Sequence, residues 1–421
     1  MIIADLHIHS KYSRACSPQL TITNIAKWCQ IKGVNLVSTG DFTHPVWFKE
    51  IKANLVEDGS GLLYLKNSNK EVRFILGTEV SAIYSQGGKT RRVHLCLFFP
   101  SIEGVEKFNT ELQGRGKNLK SDGRPILGMS AKEILQIMKK IDERSVMIPA
   151  HAWTPWFSVF GSKSGFDSLE ECFEELTSEI FAIETGLSSD PAMNWRLTQL
   201  DNIALVSNSD AHSLPNLGRE ANIFDLDLQK TTYVEFFKTI KEKNHPPAGG
   251  KFLKTIEFYP EEGMYHLDGH RTCNVCLTPK QSKKNKNLCP VCKRPLTIGV
   301  LNRVEELADR EEGLIPAGAL PFVRLVELDK IIAEALGVKS RQSKAVQAEF
   351  DKLIRLGKNE LNILMEMSYQ ELQKITLPEI VEGIKRMREK KLQIQPGFDG
   401  EYGRVTIFSL SEKKERQKKI F

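Results

Sequence analysis

Two kinds of metal ligand recur in this chain at spacings that can hold an ion. Near its start, "DLHIHS" sets His7 and His9 two residues apart behind the apolar run "MIIA". Alternate residues of a strand point to one face, so the two imidazoles project together. Side by side they can share one cation. Farther on, "CNVC" at 273–276 and "CPVC" at 289–292 make C-x2-C-x12-C-x2-C. The thiolates of Cys273, Cys276, Cys289 and Cys292, on two tight turns, suit the tetrahedral four-sulfur site of structural zinc. A closed site of this kind folds a unit too small to have a core of its own.

The first pair needs a scaffold that brings further ligands to it. Residues 1–245 alternate short apolar runs with helix-like stretches. The runs are "MIIADLHIH", "VNLVSTGDF", "VRFILGTEV", "RRVHLCLFF", "SVMIPAHAW", "IFAIETG" and "IALVSNSDAH". Each is short and rich in Val, Ile, Leu or Phe, as strands buried on both faces are. Helices are predicted over 21–32, 45–55, 130–143, 168–178, 191–200 and 230–243. "SAKE" at 130–133 and "SLEE" at 168–171 carry the capping-box pattern. Repeated β-α order predicts parallel strands, and seven of them favour a barrel over an open sheet.

Polar residues gather at the C-terminal ends of these runs: His7 and His9, Asp41 and His44, Glu79, His94, His151, Glu184, and Asp210 with His212. Active sites of such barrels sit at that face. Six of the nine histidines fall there, which turns the pair into a metal centre. Imidazole and carboxylate suit Zn²⁺, Mn²⁺ or Fe²⁺. A carboxylate shared by two ions holds them roughly 3.5–4 Å apart, a clamp for phosphoryl displacement, and metal binding lowers the pKa of water to about 7. No Ser or Cys nucleophile is then required, and Cys16, Cys29, Cys96 and Cys172 are assigned to packing.

The chain has 421 residues, 41% hydrophobic and 27% charged, with a formal charge of +6. That length implies two or three domains. No apolar stretch is long enough to span a bilayer and no basic-then-apolar leader opens the chain, so a cytoplasmic protein is expected, nucleoid-associated in a bacterium or archaeon, with reduced cysteines. From Arg271 to Arg294 there are seven Lys or Arg and no acid. Lys283, Lys284, Lys286, Lys293 and Arg294 in this ribbon are predicted to contact phosphates; protein binding is the alternative use of such a ribbon. The C-terminal "EKKERQKKIF" is also basic and reads as a solvated tail. "HAWTPWFSVFGSKSGF" follows His151 with Trp153, Trp156, Phe157 and Phe160, a candidate wall of stacking aromatics at the barrel mouth. Lys11 and Arg14, just after the first motif, are candidates to touch a phosphate beside Ser10 and Tyr12. His266 and His270 flank the ribbon and read as packing.

The ordered set H-x-H, Asp41, His44, Glu79, His94, His151, D-x-H resembles the polymerase and histidinol phosphatase (PHP) superfamily over about the first 245 residues. That resemblance implies a distorted seven-stranded α/β barrel with up to three divalent metals (Zn, Mn or Mg). It implies that His7, His9, Glu79 and Asp210 hold one ion. Glu79 would bridge to a second, completed by His94 and His151, and His44 and His212 would serve a third with Asp41. Asp41, Glu79 and Asp210 are then the catalytic carboxylates. The family's second motif is an adjacent Asp-His; here "GDFTH" separates the two, leaving open which is the ligand.

The whole layout resembles one PHP branch, the endonuclease Q family of DNA-repair nucleases. The stretches that carry this are "DLHIHSKYSRACS", "STGDFTHPVWF", "PAHAWTPWFSVFGSKSGFDSLEECF", "NSDAHSLPNLGREANIF", "IEFYPEEGMYHLDGHR", "RVEELADR" and "PGFDGEYG". The resemblance implies hydrolysis of the DNA backbone on the 5′ side of uracil, hypoxanthine, xanthine or an abasic site, leaving a 3′-hydroxyl. The DNA is double- or single-stranded, and a sliding clamp is a candidate partner. The expected organisation is a barrel at 1–245, a linker with the four-cysteine zinc ribbon at 246–300, and a mainly helical DNA-binding region at 301–421. Helices there are predicted over 300–312, 321–336, 343–356 and 377–390. Competing readings are a small-molecule phosphatase, a 3′-5′ exonuclease, and an inactive barrel serving as a DNA-binding scaffold.

Overall fold

The computed structural model describes residues 1–243, 250–409 and 412. The Pro/Gly linker before Gly250 and the basic tail beyond Glu412 lie outside the described residues. The first strands are β1 (Ile2–Asp5), β2 (Leu36–Ser38), β3 (Leu55–Glu57), β4 (Leu63–Leu65), β5 (Arg73–Gln86) and β6 (Lys89–Phe99). Next come β7 (Val146–Pro149), β8 (Ala182–Glu184), β9 (Ala204–Val206), β10 (Ala221–Asp225) and β11 (Lys251–Glu257). The ribbon hairpin is β12 (Asp268–His270) with β13 (Val275–Leu277). Then follow β14 (Phe322–Arg324), β15 (Gln393–Gln395) and β16 (Arg404–Thr406).

Seven of these wall a distorted barrel. β1, β2 and β5 are parallel neighbours, β5–β6–β7 run antiparallel, and β8–β9 are parallel. Ala152 N donates to Glu184 O at 2.9 Å, linking the end of β7 to β8. A bridge between Ile8 and Ala211 joins the end of β9 to β1. The expectation of uniformly parallel strands fails at β5–β6. Gly87 and Gly88 both have positive φ, 59° and 72°, the two-residue turn whose twist matches an antiparallel hairpin. No helix then separates these strands, and Glu79 and His94 come from one hairpin.

The sheet continues past the barrel. β10 pairs with β1, β11 with β10, and β14 with β11 in parallel register, Thr255 opposite Phe322. Residues 321–336 are therefore not one helix: "FVR" is strand, because the edge of β11 takes it up, and the helix is Leu328–Ala335. Helices Val300–Leu307, Lys344–Gly357, Tyr369–Ile375 and Pro378–Arg388 complete the C-terminal region. Its core, built on Leu328, Ile331, Phe350, Leu353 and Ile384, packs against Ile223 and Ile256 of the extended sheet. The Ser halves of the two predicted caps form: Ser130 accepts from Glu133 N, and Ser168 from Glu171 N. Among the described residues no helix is long and apolar enough to cross a membrane.

Candidate metal centre and adjoining cleft

Strand ends deliver the ligands. His7 and His9 leave β1 on one face, Glu79 lies within β5, and His94 within β6. Asp41, His151 and Asp210 each have positive φ, 47°, 29° and 45°. Non-glycine residues held there cost on the order of 1–3 kcal/mol each and persist where the surroundings over-determine them. Gly186 makes room for one of these bends: a Cβ at Gly186 would lie 2.5 Å from His151 Cβ.

Two ligand groups form around Glu79. Atoms of His7, His9, Glu79 and Asp210 lie within 4.8 Å of one another, as do those of Glu79, His94 and His151. His9 Nε2 is 3.2 Å from Glu79 Oε2 and 3.1 Å from Asp210 Oδ1; His7 Nε2 is 3.5 and 3.7 Å from the same two oxygens. His7 Nε2, His9 Nε2 and Asp210 Oδ1 are nevertheless buried without a hydrogen bond. Three converging ligand atoms left without hydrogen-bond partners are what a cation would satisfy, and the donor set suits a divalent transition metal. On the other oxygen of Glu79, His94 Nδ1 stands at 2.8 Å and His151 Nε2 at 3.1 Å. Burial pushes the His94 imidazole down to about 4, so the ring keeps a free lone pair at neutral pH. At His9, burial works against charge, but Asp41, Asp210 and Glu79 outweigh it and raise the imidazole well above its ordinary value. The same negative field favours a metal ion.

Both histidines of the first motif are oriented from behind. Glu184 accepts from His7 Nδ1 at 3.0 Å, from Asn208 Nδ2 at 2.9 Å and from His151 N at 2.7 Å. Asp41 accepts from His9 Nδ1 at 3.0 Å, Ser10 N at 2.7 Å, Ser10 Oγ at 2.6 Å and Ser13 Oγ at 2.8 Å. Four donors saturate the Asp41 carboxylate, which corrects its expected place as ligand and catalytic acid: it holds His9. His44 is also elsewhere. Its Nδ1 accepts from Trp47 N as the cap of the helix Pro45–Asn54, and its ring stacks on Tyr12 at 4.5 Å. His212 lies beside His9, ring to ring 4.7 Å, with Nδ1 donating to Asp210 O. Among the described residues no group of ligand atoms unites Asp41, His44 and His212. Cys96, a buried thiol pushed up to about 12 by its burial, packs against His7.

The metal centre opens onto a cleft of about 900 Å³ whose lining includes Asp210, His212, Trp156, Phe157, Tyr265 and Tyr402. Trp156 is 39% exposed and meets Tyr265 edge-on at 5.9 Å. Phe157, at φ 64°, lies 4.7 Å from the His94 ring. Trp153 and Phe160 are corrections: both are buried and pack together at 5.0 Å, with Trp153 Nε1 donating to Asn194. They hold the loop up from beneath. Lys11 pairs with Glu50 at 3.0 Å, while Arg14 is exposed near Asp122. Arg92, Arg219 and Tyr402 also line this cleft, and Arg124 reaches Glu79; the sequence reading missed all four, which carry no motif spacing.

In the ribbon, Lys283, Lys284, Lys286, Lys293 and Arg294 are exposed. Cys273, Cys289 and Cys292 come together, but the fourth member of their group is His270, not Cys276. His270 Nδ1 is 3.8 Å from Cys292 Sγ, whereas Cys276 is exposed on β13 opposite Gly269. Strand alternation accounts for this: His270 and Val275 share one register position, and Cys276 belongs to the next.

Residues 327–391 match the family model of the MJ0043 C-terminal domain. The chain is 29% identical over 420 residues to YqxK of Bacillus subtilis (strain 168), across 96% of this chain and 99% of that protein. It is 33% identical over 261 residues to MJ0043 of Methanocaldococcus jannaschii, 61% of this chain and 31% of that longer protein. Its structure matches the lesion-specific endonuclease PfuEndoQ of Pyrococcus furiosus with a TM-score of 0.84 at 32% identity, across 98% of both chains. It matches endonuclease Q in complex with a 27-mer duplex substrate bearing an abasic lesion at the active site with a TM-score of 0.83 at 33% identity, across 97% of both. With the whole chain aligned and the ligand groups gathered at the barrel mouth, the protein belongs to the endonuclease Q family.

Proposed function

We propose that the protein is a metal-dependent DNA endonuclease that hydrolyses the phosphodiester 5′ of uracil, hypoxanthine, xanthine or an abasic site. The observation that carries this is the pair of ligand groups about Glu79, one of whose members, Asp210, lines a cleft of about 900 Å³ that has room for an extruded nucleotide. Ligand sites of about 300–1,000 Å³ bury most of a small molecule.

In this reading a divalent cation supplies a water whose pKa is near 7 and neutralises charge on the phosphate. His7, His9 and Asp210 present their unpaired atoms on one side of Glu79, and His94 and His151 on the other. Glu184 and Asp41 fix the imidazole rings so that Nε2 of each faces the centre. A mispaired or missing base is cheaper to extrude than a paired one, and extruded bases are held by stacking and by their Watson–Crick edge. Trp156, Phe157 and Tyr265 offer the stacking faces. His266, which lines the same cleft with Nδ1 buried and unpartnered, offers one atom to a carbonyl-plus-N–H edge. Residues 1–245 would carry the chemistry, 246–300 would contact phosphates through the lysine-rich ribbon with one structural zinc, and 301–421 would flank the duplex or seat a sliding clamp.

The test is a panel of labelled duplexes, each with one deaminated base or abasic site, against an undamaged control with Mg²⁺, Mn²⁺ or Zn²⁺. A single cut 5′ of each lesion and none in the control is expected. Progressive shortening from the 3′ end would mean an exonuclease, and phosphate release from small monoesters alone would mean a phosphatase.

A further inference from the structure

Arg124 stands inside the metal centre, where the sequence placed no residue between His94 and His151. Its Nη1 donates to Glu79 Oε2 at 3.1 Å, and its side chain is only 25% exposed. Glu79 Oε2 is the oxygen that His7 and His9 also approach. Among the described residues, no other Lys or Arg forms an ion pair with Glu79 or Asp210.

The backbone delivers this guanidinium deliberately. Gly123 N donates to Tyr12 O at 3.0 Å, and Thr43 Oγ1 to Gly123 O at 3.3 Å. Ser81 N donates to Pro125 O and Leu127 N to Ser81 O, each at 3.0 Å. Asp122 accepts from Arg14 N and Arg124 N. The segment is thus tied to the loop after β1, to the loop after β2, and to β5, the three stretches that carry the first three motifs. A Cβ at Gly123 would fall 2.3 Å from both Asp41 Oδ2 and Ser13 Oγ, so only glycine lets the chain descend this far before Arg124.

We propose that Arg124 is a catalytic residue that clamps a non-bridging oxygen of the scissile phosphate and stabilises the charge that builds there in the transition state. This rests on the phosphodiesterase reading above. In the step, a water oxygen bonds to phosphorus and the P–O3′ bond breaks. The 3′ oxygen leaves with the bonding pair and takes a proton, giving a 3′-hydroxyl and a 5′-phosphate. Arg124 donates N–H bonds throughout and keeps its proton, as guanidinium does at any working pH. The transferring group spreads charge over its equatorial oxygens, where fixed cations act most strongly.

The experiment compares wild type, Arg124→Lys and Arg124→Ala on one lesion-bearing duplex, measuring single-turnover rate, DNA affinity, bound metal per chain and melting temperature. Arg124→Ala is expected to lower the rate roughly 100-fold or more, with metal content, melting temperature and affinity near wild type. Millimolar guanidinium is expected to restore its rate at least about tenfold while leaving wild type unchanged; Arg124→Lys, a point charge without the fork, should fall between. An Arg124→Ala rate equal to wild type, a rate lost in proportion to lost metal, or a deficit that guanidinium does not relieve would each overturn the proposal. Failure of the nuclease reading is separate: the wild-type protein would then leave the lesion duplex uncut.

Discussion

At the scale of single residues, the centre depends on pairs: a ligand and the group that aims it. His9 without Asp41, or His7 without Glu184, keeps its imidazole but loses its fixed tautomer and orientation. Asp41→Asn and Glu184→Gln are therefore expected to weaken metal binding about 10–100-fold without unfolding the chain, as read by metal titration calorimetry. Unchanged affinity in Asp41→Asn would contradict its role as orienter. His7 and His9 were legible in the sequence because strand alternation alone puts two imidazoles on one face. Asp41 and His44 were legible as members of the mouth but not in their roles. The role of Asp41 is set by four hydrogen-bond donors and that of His44 by a helix cap, and neither is written in spacing. Arg124 was illegible, since a lone Arg in a loop is delivered by contacts made 45 to 108 residues apart in sequence.

Among the elements, the loop after His151 shows how one stretch divides its aromatics between packing and contact. Trp153 and Phe160 face the barrel, Trp156 and Phe157 the cleft. Trp153→Ala is expected to cost about 3–5 kcal/mol of stability, the usual loss for a buried large aromatic, measured by denaturant melts. Trp156→Ala should leave the melt unchanged and weaken binding of a lesion-bearing duplex by about 1–3 kcal/mol; a fluorescence-anisotropy titration checks it. The composition of that loop was plain from sequence, but the partition was not, because a stretch with no regular period gives no rule for which rings turn inward. The β5–β6 hairpin was hidden for a similar reason. "QGGK" is a turn signal, yet reading each apolar run as one unit of a β-α series concealed it.

For the whole molecule, the barrel and the C-terminal region share one sheet, and a buried acid sits where they meet. Glu257 on β11 is fully buried and accepts from Thr185 Oγ1 at 3.0 Å beside β8. Burial pushes its carboxyl up to about 8, and nearby Asp190 adds to this. The unfolded chain releases this proton near the ordinary value of 4.5. Between the two values the folded state binds more protons, so its stability falls as pH rises. The contribution is fully present below about 4.5 and is lost as pH passes through about 8. Melting temperature should drop across that window, and Glu257→Gln should flatten the drop; an unaltered profile in the variant would show that other groups govern it. The barrel was legible from its seven apolar runs. Its continuation through β10, β11 and β14 was not, because "FVR" becomes a strand only when β11 presents an open edge.

The central claim is that the ligand groups about Glu79 hydrolyse DNA beside a lesion. The most direct measurement incubates a duplex with one deoxyuridine, labelled at its 5′ end, with wild type, His9→Ala and Asp210→Ala, with and without chelator. The account predicts one wild-type product ending just 5′ of the lesion in a ligatable 3′-hydroxyl, absent with chelator and in both variants. A cut that persists in His9→Ala and Asp210→Ala, or that falls equally on undamaged DNA, would contradict it.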